Sequence, residues 1–251
     1  MGTELAGGLI AFFIAFLTTP AGVSGAVFLV PVQVSLLGVA NPALTPTNLL
    51  YNIIATPGAL AGYRRIDWSL ARPLLISTVP GIAVGAVLRV FVLDNPDAFF
   101  VVIALVLAPV GLSLLTQRPL PLGSPTGLRL GLLGGAVGVV GGIYGIGGGS
   151  LLAPLLVGMG LSVALVAPAA LATTFAASVV GVVSFAALSA LGNEGVAPDW
   201  PLGIAMGCGG LLGGFGGARM QPLMSDRFIA RTLGVMSLAL AARYFVIGTV
   251  A

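Results

Sequence analysis

Between Glu4 and Arg64 the chain carries no charged residue, and between Arg129 and Glu194 it again carries none. Each run is far longer than the ~20 apolar residues that cross a bilayer once. A soluble domain has about 25% charged residues, whereas this chain has 7%, with 58% hydrophobic residues and a mean hydropathy of +1.14. Two such runs can only be folded in lipid, where every backbone polar group must be paired internally. The sequence therefore specifies an all-α, multi-pass integral membrane protein, expected in the plasma or inner cell membrane.

Inside each run the apolar sequence is interrupted. Leu5 to Thr19 is apolar, Pro20-Ala-Gly-Val-Ser-Gly25 breaks it, and Ala26 to Leu37 is apolar again. Each piece spans only about 20 Å at ~1.5 Å per residue, short of a ~30 Å hydrocarbon core. Two short helices meeting at a break are expected. In the second run Leu130 to Gly142 and Leu151 to Leu161 flank Gly145-Ile-Gly-Gly-Gly149-Ser150, where four glycines fall within five residues. Glycine at that density disfavours continuous helix. Irregular backbone in hydrocarbon-like sequence must be shielded by protein or line a cavity. Full helices are expected at Leu44–Tyr63, Leu70–Val92, Ala98–Leu115, Val163–Leu191, Leu202–Ala218 and Ile229–Val246. Thr116 to Arg129 reads as a Pro- and Gly-rich linker.

The pattern is an internal duplication. Gly22-Val-Ser-Gly-Ala-Val-Phe-Leu-Val-Pro31 aligns without gaps on Gly145-Ile-Gly-Gly-Gly-Ser-Leu-Leu-Ala-Pro154, and Asp67-Trp68 aligns on Asp199-Trp200. Residues 1–117 form one repeat, 118–129 the linker and 130–251 the other. Paired broken segments in two halves point to a transporter's substrate site. The arginines set orientation. By the positive-inside rule the Arg64-Arg65 loop and the linker, with Arg118 and Arg129, are cytoplasmic. In the second half the loop matching Arg64-Arg65 is Gly192 to Asp199, with acids and no Arg. The Arg219, Arg227 and Arg231 cluster matches the acidic turn holding Asp94 and Asp97. The bias reverses, so each half crosses an odd number of times: a broken or re-entrant helix pair that returns to its own side, then three transmembrane helices. The expected fold is thus two inverted-topology repeats with both termini outside.

The glycine break Gly147-Gly-Gly-Ser150-x-x-x-Pro154, its earlier copy, and the ending Gly216-Gly-Ala-Arg219 followed by Asp226-Arg227 resemble the TauE/SafE sulfite-exporter family of membrane permeases. The resemblance covers essentially the whole chain. It implies transport of a small sulfur-containing anion such as sulfite, thiosulfate or an organosulfonate. The first copy departs from the glycine-rich form, reading Gly22-Val-Ser24-Gly25.

An anion in the membrane needs compensation, because an unpaired buried charge is very costly. The chain has no His, and all ten basic residues are Arg. It does offer helix N-termini, whose free N–H groups bind anions. They follow Gly22 and Gly25 in one half and Gly147, Gly148 and Gly149 in the other, with Ser24 and Ser150 adding hydroxyls. Thr45, Asn48, Asn52 and Thr56 share one helix face, with Tyr51 beside them. Thr173, Thr174 and Ser178 hold equivalent places in the second half, and Gln33 lies on the short helix. The same glycines also suit close helix packing and the same polar groups interhelical hydrogen bonds, so both roles stay open here. Arg72 and Arg89 are expected to snorkel to the interface.

No cofactor and no metal site is expected, and with no His, no Lys and no paired acids in the spans, no enzyme chemistry either. One cysteine, Cys208, rules out an internal disulfide. Gly145-x-Gly147-x-x-Ser150 lacks the preceding strand of a dinucleotide fingerprint. The pI near 9.6 belongs to loop arginines, not to a nucleic-acid surface. Expected partners are the anion and the lipid bilayer. Homo-oligomerisation stays open, as do a passive anion channel and a permease for small carboxylates. Met1-Gly-Thr-Glu4 has no basic region of a signal peptide, so the first apolar stretch is expected to be retained.

Overall fold

The computed structural model describes residues 2–39, 42–92, 97–118, 120, 127–193 and 195–250. Most of the linker, Asn41, Asp94 and Glu194 lie outside the described residues. Among the described residues there are ten α-helices, two 3-10 turns and no strand. In chain order they are α1 (Gly2–Thr18), α2 (Ala26–Ser35), α3 (Leu44–Gly62), α4 (Trp68–Phe91), α5 (Asp97–Thr116), α6 (Gly127–Tyr144), α7 (Gly149–Gly158), α8 (Val163–Ala190), α9 (Trp200–Met220) and α10 (Asp226–Val250). Among the described residues six segments are long and apolar enough to cross a membrane. Helix α3 is 19 residues long and its apolar character is diluted by Thr45, Asn48, Asn52 and Thr56, all of them buried.

The side-chain distribution is that of a lipid-facing bundle. On α1 the large residues Leu5, Leu9, Phe13 and Leu17 recur every fourth position and point outward, while Gly7, Ala11, Ala15 and Thr18 face inward. Small residues inside let the backbones approach, which is where helix association in lipid gets its packing energy. Gly209, Gly213 and Gly217 of α9 lie directly against the carbonyls of Gly8, Phe12 and Phe16. Gly138 and Gly142 of α6 lie against those of Thr78 and Ile82 on α4. Any side chain at these positions would separate the pairs.

These contacts also give helix directions. Residue numbers rise together across α1 and α9, across α4 and α6, and across α3 and α9, where Gly203 meets Leu50 and Gly62 meets Ala218. Each pair therefore runs the same way. Helix α2 folds back along α1: Gly25 sits by Ile14 and Thr18, and Leu37 reaches Gly7. Helix α7 likewise turns back, with Gly148 against Gly141 and Val137 of α6. The ends of α3 and α9 and the starts of α4, α6 and α10 thus share one end of the bundle. Every arginine except Arg89 and Arg243 lies at this end. Asp67 opens α4 there, its carboxylate accepting from the Ser69 and Leu70 N–H groups at 2.8 and 3.2 Å. Asp199 does the same for α9 at the opposite end, accepting from Leu202 N–H at 3.1 Å.

Two expectations need correction. The first members of the broken pairs are not short. Helix α1 runs into the 3-10 turn Thr19–Ala21 to make a 20-residue apolar segment, and α6 is 18 residues long. Gly141 and Gly142 do not end α6, because they are the contact points for Gly148 and for α4, and that packing offsets the entropic cost of helical glycine. Only α2 and α7, with 10 residues each, are short. The second correction is Arg89. Arg72 is exposed as expected, but Arg89 is only 6% exposed.

Candidate functional site

The two breaks share a positive φ at two aligned positions. Gly22 and Gly145 both take the left-handed conformation (φ 80° and 72°), and so do Gly25 and Gly148 (φ 92° and 76°), the residues that immediately precede α2 and α7. These are aligned positions in the two copies. A side chain at any of them would be strained. Both short helices also carry proline at their sixth residue, Pro31 and Pro154. Pro31 cannot donate to the carbonyl of Val27 one turn back. Tyr244 of α10 supplies the missing donor, its hydroxyl lying 2.8 Å from Val27 O.

The breaks touch. Ser24 Oγ and Ser150 Oγ are 3.0 Å apart and buried. Ser150 does not align with Ser24; its aligned counterpart is Val27. Neither short helix has a side-chain cap from its N-cap glycine, although Ser24 Oγ makes a long 3.4 Å contact with Ala26 N–H. The residues around this contact lie half-way along their helices: Tyr51 and Asn52 on α3, Thr78 on α4, Thr174 and Ser178 on α8, Gly210 on α9. Gly147 packs between Ser178, Thr174 and Asn52, and a Cβ there would sit 2.7 Å from Ser178 Oγ and 3.0 Å from Asn52 Nδ2.

Several carbonyl groups at the breaks are covered by side-chain donors. Tyr51 donates to Ser24 O, Tyr63 to Thr19 O at 2.5 Å and Gln221 to Pro20 O at 2.9 Å. In the second break Thr45 donates to Ile143 O at 2.9 Å and Asn52 makes a long contact to Gly145 O at 3.5 Å. Masking the carbonyl oxygens while leaving helix N-termini without side-chain caps biases the local field toward positive. A helix N-terminus carries roughly half an elementary charge.

The candidate residues therefore divide. Gln33 and Asn48 pin α2 to α3: Gln33 Nε2 donates to Asn48 Oδ1 at 2.9 Å, and Asn48 Nδ2 to Ala26 O at 3.0 Å. Tyr51 is committed to Ser24 O. Thr173 and Thr174 donate to their own helix, to Ala169 O and Ala170 O at 2.9 and 3.0 Å. Ser24, Ser150, Asn52 and Gly147 to Gly149 are brought together at the centre. Among the buried polar atoms without partners, Asn52 Oδ1, Thr56 Oγ1, Thr78 Oγ1 and Ser178 Oγ lie in the middle stretches of their helices, with Thr19 Oγ1 just past the end of α1 and Gln33 Oε1 on α2. A buried polar group without a partner costs ~1–3 kcal/mol, which makes this grouping a candidate site for a polar ligand. Thr78 is the residue that sequence reasoning missed: it stands beside Ser77 in an apolar helix, with no polar stripe to flag it. Among the described residues no three His, Cys, Asp or Glu side chains could jointly hold a metal ion.

Helices that break and reverse inside an apolar bundle, with buried polar groups at the reversal, are the arrangement found at the substrate sites of polytopic membrane transporters. The chain matches the sequence profile of the sulfite exporter TauE/SafE family over residues 7–244. It belongs to that family, and is a multi-pass membrane transporter of the cell membrane, not an enzyme. No curated protein and no solved structure matches it.

Proposed function

We propose that this transporter exports a small sulfur-containing anion, of the class of sulfite, thiosulfate or an organosulfonate, and binds it where the N-termini of α2 and α7 meet. The observation that carries the reading is the Ser24–Ser150 contact between two short helices whose N-cap glycines offer no side-chain cap. Two helix termini of about half a charge each offset roughly one unit of the anion's charge. Tetrahedral and pyramidal sulfur oxyanions present several acceptor oxygens, and a cradle of N–H groups, serine hydroxyls and Asn52 Nδ2 offers donors from several sides. With the two serine hydroxyls in contact, binding has to part them.

The same reading takes residues 1–117 and 130–251 as two inverted repeats joined by a cytoplasmic linker, with both termini outside. It is supported by the matched left-handed glycines, by α2 and α7 each folding back on the helix before it, and by α1 and α6 lying parallel to α9 and α4 respectively. It places the arginine-rich end of the bundle in the cytoplasm.

The test is a proteoliposome screen over sulfite, thiosulfate, an alkylsulfonate, sulfate and acetate. Saturable flux with counterflow for sulfur anions, weakened by Asn52→Leu, is the expected result. Equal flux of acetate, or flux that never saturates and shows no counterflow, would contradict it, the latter in favour of a channel.

A further inference from the structure

An open cavity of about 600 Å³ lies at the arginine-rich end of the bundle, lined by Tyr63, Arg64, Arg65, Ala164, Ala218 and Gln221 among others. One helical turn deeper, between α3, α9 and the first break, is a closed void too narrow for water. Its lining includes Thr19, Ser24, Thr56, Ala59 and Gly214. The two spaces stack along the same pair of helices: Ala59 is followed one turn on by Gly62 and Tyr63, and Gly214 by Ala218. Between them the neck is shut by the contact of Gly62 with Ala218 and by two hydrogen bonds. Tyr63 Oη donates to Thr19 O at 2.5 Å and Gln221 Nε2 to Pro20 O at 2.9 Å. Both donors line the outer cavity, and both acceptors belong to the break. The closed void carries two buried hydroxyls with no partner, Thr19 Oγ1 and Thr56 Oγ1, and ends at Ser24.

The opposite half of the bundle is built differently. At that end α3, α4 and α8 close on an apolar cluster that includes Leu49, Ile82, Val182, Phe185 and Leu188, and Gly181 is packed against Leu49 and Ile82. A dry apolar plug on one side and a polar, hydrogen-bonded neck under an arginine-lined cavity on the other make the two ends unequal. Resting on the transport reading above, we infer that the Arg64–Arg65 cavity is the cytoplasmic entrance for the anion, and that Tyr63 and Gln221 are its gate. The two arginines concentrate oxyanions at the mouth. Releasing the Thr19 and Pro20 carbonyls frees the 3-10 turn Thr19–Ala21 to shift off Tyr63 and Gln221. The anion then passes along the Thr19 and Thr56 hydroxyls, which have no other partner, to Ser24 and Ser150.

The test reads access rather than transport. In a Cys208→Ala background, Thr56→Cys is labelled with 2-sulfonatoethyl methanethiosulfonate, an impermeant anion, in inverted and in right-side-out vesicles. Adding Tyr63→Phe and Gln221→Ala should raise the labelling rate at least about tenfold from the cytoplasmic side and leave the outer side unchanged. Tyr63→Phe alone keeps the ring and its packing, and carries the test if the triple variant inserts poorly. In the opened background, Arg64→Gln with Arg65→Gln should slow the anionic reagent roughly tenfold relative to the neutral 2-hydroxyethyl analogue. An unchanged labelling rate, acceleration from the outer side only, or no effect of the arginines on the anionic-to-neutral ratio would overturn the assignment. Because no transported substrate enters the readout, failure to carry sulfite would leave the labelling result intact. Normal sulfite transport with Thr56→Cys sealed from the cytoplasm would refute the entrance alone.

Discussion

The Tyr244–Val27 hydrogen bond gives a sharp test of how α2 is held. Pro31 supplies no N–H to Val27 O, and Tyr244 Oη fills that place from α10, 2.8 Å away and fully buried. Tyr244→Phe keeps the ring but removes the donor, leaving a carbonyl without it in a dry site, at a cost of about 1–3 kcal/mol. For a chain of this size, where 1 kcal/mol moves Tm by ~2–4 °C, thermal unfolding in detergent should shift down by roughly 2–12 °C. The discriminating step is Pro31→Ala. This substitution brings back a backbone N–H one turn from Val27 O, so in that background Tyr244→Phe should cost well under half as much. A double-mutant cycle should then show coupling of ~1–2 kcal/mol, above the ~0.3–0.5 kcal/mol scatter of independent sites. Equal destabilisation of both backgrounds would refute the idea that Tyr244 substitutes for the donor Pro31 lacks.

Orientation and site can be probed in the same way. Single cysteines at Ser124 and Gly195, in a Cys208→Ala background, should label from opposite sides of the membrane; labelling from one side would sink the inverted-repeat reading. Gly148→Val should insert normally yet abolish sulfite flux, since φ at this position is +76° and a Cβ would meet Thr78 Cγ2 at 2.8 Å; normal flux would place the substrate elsewhere. Among the described residues the spans hold no His and no carboxylate midway along them to carry a proton, the usual relays in transporters, so flux should be electrogenic. A monovalent anion leaving a negative interior gains ~2.3 kcal/mol per 100 mV, a concentration ratio of about 50. Flux that follows an imposed pH gradient and ignores a K⁺–valinomycin potential would refute this.

The sequence alone locates both breaks, because glycine and proline act locally and leave a mark wherever they fall. It also locates the polar stripe of α3, a matter of helical period. The partners of that stripe are invisible from it. Asn48 faces Gln33 and the start of α2, while Asn52 faces the second break, and their spacing on one helix face cannot separate these fates. Tyr63, Gln221 and Tyr244 bond to carbonyls 44, 201 and 217 positions away, and no local pattern encodes that. The lengths of α1 and α6 escape the sequence for a related reason. Gly142 marks the end of the apolar piece in the sequence, yet α6 continues to Tyr144 because Gly141 and Gly142 pack against Gly148 and α4. Ser24 meets Ser150 although the gapless alignment pairs each with something else, so the contact belongs to the geometry of the crossing and not to the repeat.

The claim that an anion is held between the two helix N-termini is tested most directly by locating one. Selenite, the heavier congener of sulfite, scatters anomalously, and crystals of the transporter grown with it would show where it sits. The account predicts a selenium peak in the centre of the bundle, within hydrogen-bonding reach of Ser24, Ser150 and the first N–H groups of α2 and α7, and its loss in Gly148→Val. A peak confined to the Arg64–Arg65 cavity, or none near Ser24 and Ser150 in a protein that still transports sulfite, would contradict it.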